Sequence, residues 1–63
     1  MEWTKNNKIY IARGMRYDYA SAEVNGHWML LIDALTRTET SLRITLEVKD
    51  IKIAKQVAEL LEK

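Results

Sequence analysis

The sequence predicts an α+β domain, a small antiparallel sheet of four strands with one C-terminal helix packed on one face. Two hairpin turns are marked by Gly14 and by Asn25-Gly26, residues 41–48 alternate between apolar and polar, and residues 51–63 repeat apolar side chains at helical spacing. The predicted order is therefore β-β-β-β-α. The 63 residues are expected to form a single domain spanning residues 1–63.

Two turns define the first three predicted strands. Asn25-Gly26 is the preferred pair for a type I′ loop, because both central residues of that loop need a positive φ. Gly14-Met15 fits a type II′ loop, in which glycine takes the first central position. These turns predict strands at residues 8–13, 16–24 and 27–35.

The predicted register gives the sheet two apolar faces. It sets Tyr10 opposite Tyr19 and Asp18 opposite Asp33, and side chains then alternate between the faces. One face carries Tyr10, Tyr17, Tyr19, Trp28, Leu30 and Ile32, and the other carries Ile9, Ile11, Ala20, Ala22, Val24, Met29 and Leu31. Because one helix covers one face, we expect the other face to meet a second copy, a partner, a ligand or the curled edge of the sheet.

The remaining elements follow from the second half of the chain. Residues 36–40 are polar and predict a loop. Residues 41–48 predict a fourth strand with one solvent-exposed face. Asp50 can cap a helix, because its carboxylate can accept hydrogen bonds from the first turn. The helix over residues 51–63 has an apolar stripe formed by Ile53, Ala54, Val57, Leu60 and Leu61.

Composition argues against an enzyme. The chain has no cysteine and one histidine, which removes disulfides and the usual zinc sites. Neither serine at position 21 or 41 lies in a Gly-x-Ser-x-Gly turn, and a sheet with one helix rarely encloses a substrate pocket. We therefore expect no catalytic residue, cofactor, metal or small-molecule substrate.

Charge and hydropathy bear on partners and location. The net charge of +1 is too balanced for the strong basic field of nonspecific nucleic-acid binding. The longest apolar run, residues 28–32, is too short to cross a membrane, and the N-terminus does not resemble a signal peptide. We expect a cytoplasmic protein that does not bind membranes.

The aromatic face is the first candidate binding site. Tyrosine and tryptophan are enriched at interface hot spots, and two arginines lie at the rim of this face. The predicted partner-binding residues are Tyr10, Tyr17, Tyr19, Trp28, Arg13 and Arg16. Two other interpretations are open: this face forms the core under the helix, or it is buried in a homodimer. Trp3 can pack on the helix or point outward.

A basic group supports a second class of function. Lys5, Lys8, Arg13 and Arg16 could contact phosphates while bases stack on the tyrosines. A small sheet followed by a C-terminal helix is similar in outline to the arm-type and AP2-like DNA-binding domains, which lay the sheet on DNA. That similarity covers strand order only. The favoured interpretation of the same four residues is a solvated edge that also protects an outer strand from aggregation.

Size and surface together favour binding without catalysis. We expect a small protein that acts by protein–protein interaction, as a regulator or inhibitor of a larger complex, with a protein or a second copy as its partner. Phage-encoded inhibitors of bacterial defence, including the anti-CRISPR class, are one population of small proteins of this type. The facing pair Asp18 and Asp33, near Arg13 and Arg16, is expected to form a solvated ion network.

Overall fold

A computed structural model describes residues 1–34 and 43–63 of the chain. Within these residues the elements are β1 (Trp3–Asn6), β2 (Ile9–Arg13), β3 (Tyr17–Val24), β4 (His27–Ala34), β5 (Arg43–Val48) and α1 (Ile51–Leu61). The strands form one antiparallel sheet in the order β1-β2-β3-β4-β5. The predicted α+β class, antiparallel sheet and C-terminal helix are confirmed. The prediction of four strands was wrong, because β1 adds a fifth.

Strand β1 was missed because it contains a single large apolar side chain. Trp3-Thr4-Lys5-Asn6 shows no apolar alternation, and the turn that follows contains no glycine. Asn7 takes a φ of 58° in the two-residue connection between the paired residues Asn6 and Ile9. Asparagine adopts this left-handed conformation more readily than most residues. Trp3 packs on the core, with its ring centroid 6.3 Å from that of Tyr19.

The two predicted hairpin turns had different outcomes. Asn25 and Gly26 have φ values of 52° and 81°, as the type I′ loop requires, and the predicted pairing of Asp18 with Asp33 is confirmed. The two-residue loop at Gly14-Met15 was wrong. Arg13 pairs with Asp18, so four residues separate these paired positions; residues 14–16 form the connection, and Tyr17 already belongs to β3. The Gly14 N–H donates to the Tyr17 carbonyl at 2.8 Å.

The longer loop shifts the register between β2 and β3 by two residues. Tyr10 lies opposite Ser21 instead of Tyr19, and Ala12 lies opposite Tyr19 instead of Tyr17. Because side chains alternate with a period of two, this even shift leaves every residue on its predicted face.

Helix α1 covers the aromatic face of the sheet. Tyr19 and Leu30 are 2% and 0% exposed, and they belong to the same buried cluster as Ala54 and Ala58 of the helix. The two alanines lie one turn apart on one helix face, which lets the helix approach the sheet closely. The Asp50 carboxylate accepts from the Ile53 N–H at 2.9 Å, which confirms the predicted N-cap.

The helix ends at Leu61 and not at residue 63. The predicted loop at residues 36–40 and the first two residues of the predicted fourth strand, including Leu42, lie outside the described residues.

Candidate functional site: the open sheet face

The candidate site is the face of the sheet opposite α1, which we call the open face. Strand register and alternation place the following residues on it: Thr4, Asn6, Ile9, Ile11, Arg13, Asp18, Ala20, Ala22, Val24, His27, Met29, Leu31, Asp33, Arg43, Thr45 and Glu47. Within residues 1–34 and 43–63, the only helix lies on the other side of the sheet.

The middle of the open face is an apolar block. It comprises two rows in register across β2, β3 and β4, formed by Ile9, Ala22 and Met29 and by Ile11, Ala20 and Leu31. Ile9 and Ile11 are 45% and 44% exposed, which is high for isoleucine in the second strand of a five-stranded sheet. The block therefore offers a large apolar side chain on each side of a flat, alanine-lined centre.

A charged row borders the apolar block at one end. Arg13, Asp18, Asp33 and Arg43 are in register across β2 to β5. Arg13 Nε lies 3.4 Å from Asp18 Oδ1, and Arg43 Nη2 donates to Asp33 Oδ2 at 3.4 Å. The two carboxylates are direct cross-strand neighbours, an arrangement that is unfavourable unless opposite charges compensate it. Each aspartate therefore has one exposed arginine beside it.

The arginines satisfy the carboxylate pair only in part. Among the described residues, Oδ1 of Asp33 is enclosed by protein atoms and has no hydrogen-bond partner, whereas the enclosed Oδ1 of Asp18 has only the 3.4 Å ion contact with Arg13 Nε. Both aspartates line a depression of about 200 Å³ together with Ile11, Ala20 and Leu31. Two adjacent carboxylates favour a nearby cation, and a charged donor forms the strongest hydrogen bond with a carboxylate. The depression is therefore suited to a cationic side chain at the edge of an apolar contact.

A second polar cluster joins the β2–β3 loop to the end of α1. The Glu62 carboxylate accepts from the backbone N–H groups of Met15, Arg16 and Tyr17 at 2.6, 3.1 and 3.2 Å. It also accepts from the Tyr19 hydroxyl at 2.7 Å.

The pKa values of both ionisable side chains in this cluster, Glu62 and Tyr19, depart from their ordinary values. The hydrogen bond from the Tyr19 hydroxyl, with those from the loop N–H groups, lowers the pKa of Glu62. Burial, together with the adjacent Glu62 carboxylate, raises the pKa of Tyr19. A Cβ at Gly14 would lie 2.5 Å from Glu62 Oε2, so the loop needs glycine there to admit the carboxylate. This cluster fixes the loop against the helix, and its donors are used within the chain.

The aromatic residues of the predicted partner site lie on the helix-covered face. Tyr19 is in the core, and the Tyr17 ring meets it edge-on with centroids 6.2 Å apart. Tyr10 and Trp28 are half-buried, with centroids 6.2 Å apart. The structure thus brings the aromatic residues together, but on the side that α1 occupies.

The four basic residues of the predicted nucleic-acid site fall into two groups. Lys5 and Lys8 lie with Tyr10 around a shallow pocket at one end of β2. Arg13 lies at the other end of β2, on the open face, and Arg16 lies beyond it in the loop. A five-residue strand spans about 17 Å at roughly 3.3 Å per residue, so the groups are separate.

Lys55 joins the lysine group. Its Nζ lies 5.6 Å from the Tyr10 ring centroid, and Lys5 Nζ lies 5.5 Å from the same point. No sequence pattern predicts this role for Lys55, since its position over Tyr10 depends on how the helix docks.

The described residues contain no group of three or more His, Cys, Asp or Glu side chains arranged to hold a metal ion. His27 Nδ1 lies 2.6 Å from Glu47 Oε1 in an exposed pair on the open face. No helix in the described ranges is long and apolar enough to cross a membrane.

Comparison with protein-family models, curated proteins and solved structures gives no match. The surfaces of this chain are therefore the guide to its function.

Proposed function

We propose that this protein is a small non-enzymatic binding protein that acts by protein–protein interaction, and that its open face covers a surface of a larger partner. The observation that carries this proposal is the apolar block, which the described residues leave uncovered. Monomeric proteins in water rarely expose a large contiguous apolar patch unless it is an interaction site. Blocking such a surface is the function of a regulator or inhibitor of a larger complex, as in the anti-CRISPR class of phage-encoded inhibitors.

The charges on the open face favour one kind of partner surface. Asp18 and Asp33 are adjacent carboxylates at the end of the apolar block, and the arginines beside them are exposed. A partner with an apolar patch and a lysine or arginine at its edge would pair with these carboxylates and bury the block in the same contact. The acids Asp18, Asp33 and Glu47 outnumber the arginines Arg13 and Arg43 on this face, which disfavours nucleic acid there.

The test compares capture of the partner by matched variants. Ile9→Ser/Ile11→Ser removes the exposed edge of the apolar block, and Met15→Ser removes an apolar side chain that is 93% exposed but lies in the β2–β3 loop. We expect the wild type and Met15→Ser to retain the same protein from a cell extract in equal yield. The double variant should lose that protein while keeping the wild-type circular dichroism spectrum.

The contact between the aspartates and a basic side chain of the partner is tested separately. With the captured partner purified, Asp33→Asn should weaken binding about tenfold, since it removes one charge from a desolvated ion pair. Glu59→Gln, on an exposed position of α1, should leave binding unchanged. Equal retention of the partner by the wild type and by Ile9→Ser/Ile11→Ser would refute the open face as the binding surface.

One observation favours a second candidate function, a nucleic-acid-binding module. Lys5 and Lys55 place their ammonium groups about the Tyr10 ring, next to Trp28 and Lys8, which combines aromatic rings with cations as single-stranded sites do. Three lysines would give a log–log salt slope of about −2 with a single-stranded oligonucleotide. Tyr10→Ala should then reduce binding. Absence of binding at low salt in a fluorescence anisotropy titration would exclude this candidate.

A further inference from the structure

Strand β5 is the longer of the two edge strands in the described sheet, and its charged side chains are Arg43 and Glu47. It pairs with β4 on one side, and no other strand of the described residues pairs with its outer edge. Its six residues, Arg43–Val48, contain neither proline nor glycine and alternate apolar and polar side chains. The opposite edge, β1, is shorter and carries Lys5 and Asn6. Natural edge strands usually carry devices that block pairing, so a long regular edge suggests a partner strand.

The apolar side chains of β5 are incompletely covered. Ile44 and Leu46 lie on the same face as the core, yet they are 42% and 40% exposed. They pair with the buried Ile32 and Leu30, which lie one strand further in. The area that remains exposed therefore lies toward the outer edge of the sheet.

We propose that two copies of this protein pair through β5, antiparallel about a two-fold axis at Thr45, so that their sheets join into one continuous sheet. This register sets Arg43 opposite Glu47 of the second copy, and Glu47 opposite the second copy's Arg43. It also sets Ile44 opposite Leu46, and Thr45 opposite itself. The strand is thus complementary to itself in both charge and apolar area.

Neighbouring registers lose this complementarity. Antiparallel pairing that keeps the two faces aligned can shift only in steps of two residues. One shift puts Leu46 on the axis and sets Arg43 against Lys49, which is a like-charge pair. The other puts Ile44 on the axis and sets Arg43 against Thr45. Only the register centred on Thr45 gives both arginines an acid.

The internal ion pairs of β5 are compatible with this arrangement. Arg43 contacts Asp33 through Nη2 alone, and Glu47 contacts His27 through Oε1 alone. A guanidinium has further donors and a carboxylate has a second oxygen, so each can serve a second partner. The axis is perpendicular to the sheet, which places both helices on one side and both open faces on the other. This pairing does not depend on the proposed function.

The first experiment measures mass by light scattering after size exclusion over a range of concentrations. We expect a species of twice the 7.4 kDa chain mass. Arg43→Glu and Glu47→Arg should each raise the dissociation constant about tenfold, because each creates two like-charge pairs, and the double exchange should restore it. A monomer at every concentration, or a dimer that neither single variant weakens, would overturn the proposal. So would a dimer lost only in Ile9→Ser/Ile11→Ser, since it would use the open face.

The second experiment traps the register. The chain has no cysteine, so Thr45→Cys introduces a single thiol that meets its own copy across the axis, within the distance that a disulfide spans. Thr4→Cys is the matched control, because Thr4 lies in the same row of the open face at the opposite edge. We expect mild oxidation to give a covalent dimer from Thr45→Cys far faster than from Thr4→Cys. Equal rates, or faster trapping by Leu46→Cys, would refute the axis at Thr45.

Discussion

Leu30 and Leu31 are adjacent leucines of β4 on opposite faces, and truncating each to alanine tests which face forms the core. Leu30 is fully buried in the cluster that contains Ala54 and Ala58, whereas Leu31 is half-buried on the open face. Leu30→Ala should cost about 3–5 kcal/mol, from lost transfer free energy plus the cavity left behind. Leu31→Ala should cost about 1 kcal/mol, from partial burial and lower β-propensity.

The difference in cost between Leu30→Ala and Leu31→Ala is large compared with the free energy of unfolding expected for this domain. At roughly 0.05–0.15 kcal/mol per residue, 63 residues give a free energy of unfolding of about 3–9 kcal/mol. Leu30→Ala should therefore be close to unfolded at 25 °C, and Leu31→Ala should show a shifted but complete transition. Both variants change leucine to alanine in one strand, so the difference between them isolates burial under α1.

Urea denaturation followed by far-UV circular dichroism gives the two free energies. Measurements at low and high protein concentration separate folding from association, because a dimer makes the midpoint depend on concentration. Equal destabilisation by Leu30→Ala and Leu31→Ala at low concentration would refute the assignment of the core to the helix-covered face.

Three further predictions concern the loop and the helix ends. Because the folded-state pKa of Glu62 is lowered from its ordinary 4.5, the stability it contributes is present above pH 4.5 and is lost as the pH falls through the folded value. Glu62→Gln should therefore flatten the acid limb of melting temperature against pH, and parallel profiles for the two proteins would contradict this. Gly14→Ala should destabilise the wild type more than it destabilises Glu62→Ala, because the three atoms nearest to the added Cβ all belong to the Glu62 carboxylate. Additive effects in a thermal-melt cycle would argue against that collision. Gly26→Ala is the control, because Gly26 has a φ of 81° that alanine rarely adopts. This substitution should lower the free energy of unfolding by about 1 kcal/mol in both the wild type and Glu62→Ala. Asp50→Ala should cost about 1 kcal/mol in urea unfolding and Asp50→Asn much less, because asparagine still caps the helix.

Features that depend on near neighbours in sequence could be predicted. Asn25-Gly26 specifies its own turn, that turn specifies the β3–β4 register, and Asp50 caps the turn that follows it. The loop after Arg13 could not be predicted in the same way. Its glycine is required by the Glu62 carboxylate, which lies far along the chain, and not by a positive φ.

The candidate site was predictable only in part. Alternation assigned the residues of both faces correctly, including Ile9 and Ile11 on the open face. Which face the helix covers depends on how Ala54 and Ala58 fit over the sheet, and no local pattern specifies that packing. The partner-binding set predicted from the sequence therefore includes Tyr19, which lies in the core. The contact between Arg43 and Asp33 has no sequence signal, because no local pattern places β5 beside β4.

The Glu62 contacts bear on how the chain folds during synthesis. They join positions 43 to 47 residues apart, whereas every strand pairs with the strand next to it in sequence. Strands can therefore pair as they leave the ribosome, but α1 and its carboxylate arrive after all of them. Until then both faces of the nascent sheet present apolar side chains to water. The interval between pairing of the strands and docking of α1 is therefore the stage at which this chain is most exposed to aggregation.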